Sequence, residues 1–110
     1  MTTIQDSRFG NDKPVDLFLA RYGKEEDSPV AILAMIDDGY GLEPFTTYTI
    51  NLEDYGLVPK PGHVFIKAYS EGEGAVEVLV EQGVISDPVW GTFGLYNTAY
   101  AEAKLLLEQE

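Results

Sequence analysis

One run of residues constrains the fold more than any other. Val30 to Asp37 reads VAILAMID, apolar on both alternating sides, with the turn-like GKEEDSP before it and DDGYGLEP, counting Asp37, after it. A strand with apolar side chains on both faces must be covered on both, so this segment belongs in the middle of a sheet. Periodicity alone also admits a short buried helix. The unbroken apolar part, Val30 to Ile36, falls far short of the ~20 residues that span a bilayer as a helix. A chain of 110 residues is of a size for one domain, and 45% hydrophobic residues suffice for a core.

The flanking segments point to further strands. Val15 to Tyr22 (VDLFLARY) places Val15, Leu17 and Leu19 on one side and Phe18, Ala20 and Tyr22 on the other. Phe45 to Leu52 (FTTYTINL) is β-branched and aromatic, the composition of a strand. His63 to Tyr69 (HVFIKAY) alternates, with Val64, Ile66 and Ala68 sharing a face. Glu53 to Gly62, with two prolines, is a turn-rich crossing. Met1 to Lys13 is polar and without period, which reads as a loose arm.

Glu71 to Gln82 carries helix signals. Ser70 stands as N-cap, Glu73 three residues on completes a capping box, and Gly83 occupies the left-handed position after the last turn. Ala75, Val76, Val78, Leu79 and Val80 form an apolar arc, opposite a stripe of Glu73, Glu77 and Glu81. Val89 to Leu95 reads as strand or turn. Ala99 to Glu110 has helical propensity, yet Tyr96, Thr98 and Tyr100 resemble a strand face, and a strand from about Leu95 to Lys104 is the preferred reading. The expected fold is α+β: a mainly antiparallel sheet in the order β-β-β-β-α-β with one helix packed on a face. Residues 1–13 would be a flexible N-terminal arm and residues 14–110 a single α+β domain.

Nineteen Asp and Glu against seven Lys and Arg give a net charge of −12. Phosphates would be repelled, which argues against DNA, RNA or an anionic membrane as direct partner and for a basic protein surface. The same charge also serves solubility. There is no Cys, hence no disulfide and no thiolate metal site. The first residues lack a basic stretch followed by an apolar one, so the expected location is the cytoplasm. His63 is the one His, and no Ser sits in a nucleophile motif. Asp37 to Glu43 lacks the spacing of a calcium loop and reads as a turn. The expectation is a protein that is not an enzyme and needs no cofactor or metal.

The candidate partner-binding residues are therefore acids. Glu73, Glu77 and Glu81 would rise ~6 Å per step along a helix, close to the spacing of phosphates on a nucleic-acid strand. Like charges at i, i+4 destabilise a helix by about 0.2–0.5 kcal/mol each, and no Lys or Arg lies in this segment to offset them. Glu25, Glu26 and Asp27 would crown a hairpin tip, and Asp37 and Asp38 open the next loop. Trp90, Phe93, Tyr96 and Tyr100 crowd the C-terminal part; core is the preferred reading, an exposed interface anchor the alternative.

Three blocks carry a resemblance. Tyr48-Thr49-Ile50-Asn51-Leu52 is similar to a T-V-N-L strand. Val64 to Gly74 (VFIKAYSEGEG) and Val78 to Ile85 (VLVEQGVI) are similar to a pattern F-V-K-x-x-S-E-N-E-G…L-V-E-x-G-I. From Val15 onward the chain thus resembles the family called domain of unknown function 4313, small proteins of plasmids, conjugative transposons and phages of Gram-positive gut bacteria. Gly72 replaces the pattern's Asn, and Asp87-Pro88-Val89 replaces its T-G-R. The matching motifs are a strand, a cap and a helix stop, and they bring no catalytic residues. The resemblance implies a mobile-element setting, where small acidic proteins often blunt host defence by blocking restriction or CRISPR nucleases. The expected function is a counter-defence inhibitor (anti-CRISPR or antirestriction) whose carboxylates imitate phosphates. The alternative is an accessory protein-interaction module of conjugation or plasmid maintenance.

Overall fold

The computed structural model describes residues 2–23, 29–37 and 39–107, without the side chain of Glu71. Seven strands and one α-helix are present among them. Strands β1 (Thr2–Gln5), β2 (Pro14–Arg21), β3 (Val30–Asp37) and β4 (Leu42–Thr47) form one antiparallel sheet in the order β1-β2-β3-β4. Strands β5 (His63–Lys67), β6 (Val89–Phe93) and β7 (Thr98–Lys104) form a second in the order β5-β7-β6. Helix α1 (Ala75–Glu81) lies between β5 and β6 in the chain. The architecture is α+β with antiparallel sheets and a single helix, as the patterns imply. The strands divide between two sheets rather than one, and β1 and β6 lengthen the order to β-β-β-β-β-α-β-β.

Strand β3 is central, paired with β2 (Leu17 opposite Ala34, Leu19 opposite Ile32) and with β4. Its Val30, Ile32 and Ala34 join Val15 and Leu17, Val64 and Ile66, Ala101 and Ala103, and Ala75, Val76 and Leu79 of the helix in one core. On the other face Ala31 is buried, whereas Leu33 and Met35 are half-buried, so the cover expected on both sides is complete on one.

The run Phe45 to Leu52 does not form one strand. It leaves the first sheet after Thr47 and crosses to the second. The Tyr48 N–H donates to the Ile32 carbonyl (3.0 Å), the Lys67 N–H donates to the Tyr48 carbonyl (2.8 Å), and the Ile50 N–H donates to the Phe65 carbonyl (3.0 Å). Thr49 Oγ1 accepts the Ile32 N–H at 3.1 Å. Uniform β propensity hides this transfer, because both halves are extended and hydrogen-bonded.

The N-terminal segment is not a loose arm. Strand β1 pairs with β2, Ile4 is buried against the core, and the Gln5 N–H donates to Gln82 Oε1 (3.2 Å). Specific polar contacts hold this stretch, which is why it shows no apolar period.

The helix also starts later than its signals suggest. Ser70–Gly72 is a 3₁₀ turn, Glu73 is extended, and Gly74 at φ 85° precedes α1 with no side-chain cap. Ser70 itself sits at φ 56°, so it does not form the expected capping box with Glu73. Its end is as expected. Gly83 at φ 75° donates to the Val80 carbonyl (3.1 Å) and Val84 to that of Leu79 (2.9 Å), with Leu79 and Val84 both buried, a Schellman closure. Gly83→Val is therefore expected to destabilise by about 1–2 kcal/mol, since a β-branched residue is strained at positive φ. Ser70→Ala should change stability by less than about 0.5 kcal/mol. Urea titration separates the two, and a loss at Ser70 as large as at Gly83 would reinstate it as a cap.

Thr98–Lys104 is strand, not helix. Strands β6 and β7 form a hairpin over residues 94–97, with Gly94 at φ 76° and Asn97 at φ 51°.

Candidate functional site

The acids expected to act together are only partly assembled. Glu77 and Glu81 lie one turn apart on α1, both exposed, and neither side chain makes a hydrogen bond or ion pair among the described residues. Glu73 is exposed but stands ahead of the helix in extended backbone, so the three-residue stripe shortens to a pair with a third carboxylate beside its start. Two left-handed or turn residues, Ser70 and Gly74, interrupt the helical register that would have aligned it. Asp37 closes β3, and its Oδ1 accepts the Gly39 N–H (2.9 Å), a loop-forming contact. Glu25, Glu26, Asp27 and Asp38 lie outside the described residues. Other exposed carboxylates, Asp12, Glu43, Glu53, Asp54 and Asp87, are spread over both sheets and their loops.

One carboxylate among the described side chains is buried, and sequence reasoning missed it. Asp6 is fully covered. Its Oδ1 accepts the Arg8 N–H (3.1 Å) and Nε (2.9 Å); its Oδ2 accepts Arg8 Nη2 (2.8 Å) and the Tyr48 hydroxyl (2.6 Å). Arg8 Nη1 reaches on to the Glu73 carbonyl at 3.0 Å. Burial pushes the Asp6 carboxyl up, but the hydrogen bonds from Arg8 and Tyr48 outweigh it and hold the group below its ordinary value. The Arg8 guanidinium is raised by its bond to Asp6. Burial, with Asp6 beside it, drives the Tyr48 phenol well above its ordinary value. The side chains of Asp6, Arg8 and Tyr48 are hydrogen-bonded to one another, so the cluster fastens the N-terminal segment to the crossing at Tyr48. An acid two residues before an Arg carries no signal that would separate it from a surface pair.

The C-terminal aromatics divide: Trp90 and Tyr96 are exposed, Phe93 and Tyr100 half-buried. Trp90 is 53% exposed and Tyr96 91%, with Leu95 beside it at 95% and Val89 at 72%. The inward positions of β7 are Ala101 and Ala103, which are buried in the core cluster. Tyr100, on the opposite side of β7, packs on Phe65 (centroids 4.9 Å apart) and Phe93 (6.2 Å), and Tyr55 and Tyr69 close on Phe93 at 5.0 and 5.9 Å. These rings form a second aromatic cluster that runs from buried Phe65 through half-buried Tyr69, Phe93 and Tyr100 to exposed Tyr55. The Tyr100 ring lies over Gly91, where any Cβ would come within 2.6 Å of it. That contact braces a glycine that would otherwise weaken its strand.

His63 is half-buried, its Nδ1 3.2 Å from the Pro61 carbonyl oxygen. Among the described residues no three His, Asp or Glu side chains are grouped to hold a metal ion, and no helix is long and apolar enough to cross a membrane. Comparison with protein-family models, curated proteins and solved structures finds no match.

Proposed function

We propose that this chain is a non-enzymatic binding protein that engages the basic surface of a partner protein through the carboxylates at and before α1. The observation that carries this is the exposed pair Glu77 and Glu81, with Glu73 beside it, unneutralised on a helix whose stability would favour Lys at the second position. In the mobile-element setting that the resemblance implies, the partner is a nucleic-acid-binding defence nuclease of the host, and the carboxylates stand in for phosphates. The location is the cytoplasm, and neither nucleic acid nor membrane is bound directly.

Binding captured from a host lysate should weaken steeply as salt rises and should compete with the partner's nucleic acid. Glu73→Lys, Glu77→Lys and Glu81→Lys together should lower affinity by at least about tenfold without loss of the fold. Normal binding by the triple variant would move the site elsewhere.

The second reading, an accessory module that binds a protein through its aromatic segment, is favoured by the exposure of Trp90, Leu95 and Tyr96. Its binding would be insensitive to the triple variant and to salt.

A further inference from the structure

Two open sheets leave four edges, and three of them are blunted. Strand β1 is four residues long, and the side chain of Gln82 takes its last N–H. Strand β4 carries Glu43 and Pro44 and a register shift opposite Ala34 and Met35. Strand β5 is covered by the crossing at Tyr48 to Ile50. Strand β6 has none of these devices. Its five residues, VWGTF, contain no Pro and no charge, and run in unbroken register with β7. In an antiparallel ladder alternate residues aim their N–H and C=O groups away from the neighbour, and on β6 these have no backbone partner among the described residues. An exposed apolar edge of this kind is a template for another strand.

The charge pattern singles out the same place. From Pro88 to Ala101 there is no Asp, Glu, Lys or Arg, in a chain of net charge −12. A basic segment would find no anchor on this edge, whereas an uncharged apolar strand would meet no repulsion. The chain holds such a strand in β6 itself.

We propose that two copies of the chain associate by pairing their β6 strands antiparallel about a two-fold axis at Gly91, joining two three-stranded sheets into one of six. With Gly91 opposite Gly91, Val89 faces Phe93 of the second copy and Trp90 faces Thr92, pairings of aromatic and β-branched residues that stabilise sheets. The nearest carboxylate in the chain, Asp87, then faces Leu95. Glu102, one strand in, is opposite Val89 on β7, and its Oε2 accepts the Lys60 N–H at 3.0 Å. No carboxylate opposes another across the joint. The charge of each copy still repels at long range, and salt screens that repulsion. Association therefore strengthens with salt, the opposite of binding to a basic partner, so failure of one proposal is distinguishable from failure of the other.

Sedimentation velocity on the full chain tests this, from about 10 to about 500 μM protein and at about 0.05 and about 1 M NaCl. The expected result is a shift from monomer to dimer mass with concentration, at least about tenfold tighter in the high-salt series. Trp90→Lys and Thr92→Lys, each on an exposed side chain, should hold the chain monomeric with the melting temperature unchanged; should one fail to fold, the other decides. A wild-type chain that stays monomeric at the highest protein and salt overturns the proposal. So does a dimer that survives both variants, or one that dissociates as salt is added.

Discussion

Asp6→Ala is expected to lower stability by about 3 kcal/mol, seen as a shift of the urea midpoint and as a fall of roughly 15 °C in melting temperature. The loss arises from what the substitution leaves behind. Arg8 keeps only 15% of its side-chain surface in contact with solvent, so its guanidinium would remain covered with no counter-charge. The Tyr48 hydroxyl would lose its acceptor in the same step. Tyr48→Phe removes one bond to a charged group and should cost about 1.5 kcal/mol. The effect carries a pH signature. Because the Asp6 carboxyl is held below its ordinary value in the folded chain, the unfolded chain takes up that proton first as pH falls. The contribution is full above the unfolded value and disappears as pH falls through the folded one. The gap in melting temperature between wild type and Asp6→Asn should therefore be constant from about pH 7 to about pH 5 and narrow below about pH 4. A gap that persists unchanged at lower pH would mean that the ionised form of Asp6 is not what stabilises the fold.

Gly72→Ala is expected to cost about 3 kcal/mol, although Gly72 has no unusual φ. The residue is buried in the 3₁₀ turn, and a Cβ there would overlap the Lys67 carbonyl oxygen and stand 2.8 Å from its carbon. Both are backbone atoms of the sheet, so neither can rotate away. Gly74 is the natural control: it sits at φ 85°, its Cβ would meet only Arg8 Cδ, at 3.4 Å and so without overlap, and Gly74→Ala should cost about 1–2 kcal/mol from backbone strain alone. Equal losses at the two positions would mean that the turn moves aside.

The parts of the fold written in short-range periodicity were legible. VAILAMID could be placed at the centre of a sheet because its apolar residues leave no polar face, and Gly83 marked the helix end because the left-handed residue is a local requirement. What depended on distant partners was not. Asp6 and Gln5 meet Tyr48 and Gln82, which are far along the chain, and no local pattern announces that. FTTYTINL looks like one strand because each residue in it is extended, while the change of partner at Tyr48 is a tertiary event. Of the candidate site, Glu77 and Glu81 were readable from spacing. Glu73 was not, because the left-handed backbone at Ser70 and Gly74 takes the stretch between them out of the helix. The bulk of the C-terminal aromatics suggests burial, but Ala101 and Ala103 take the inward places of β7, which leaves Phe93 and Tyr100 half-buried and Trp90 and Tyr96 exposed.

The crossing at Tyr48 has a consequence for how the molecule comes apart. Its carbonyl accepts from one sheet, its amide donates to the other, and its hydroxyl holds the buried carboxylate. Opening either sheet at this point breaks bonds belonging to both, so the sheets have no independent route to partial unfolding there. In native-state hydrogen exchange the amides of Tyr48, Ile50 and Lys67 should form one cooperative unit that opens at the global free energy, while the β6–β7 hairpin tip exchanges through smaller local fluctuations.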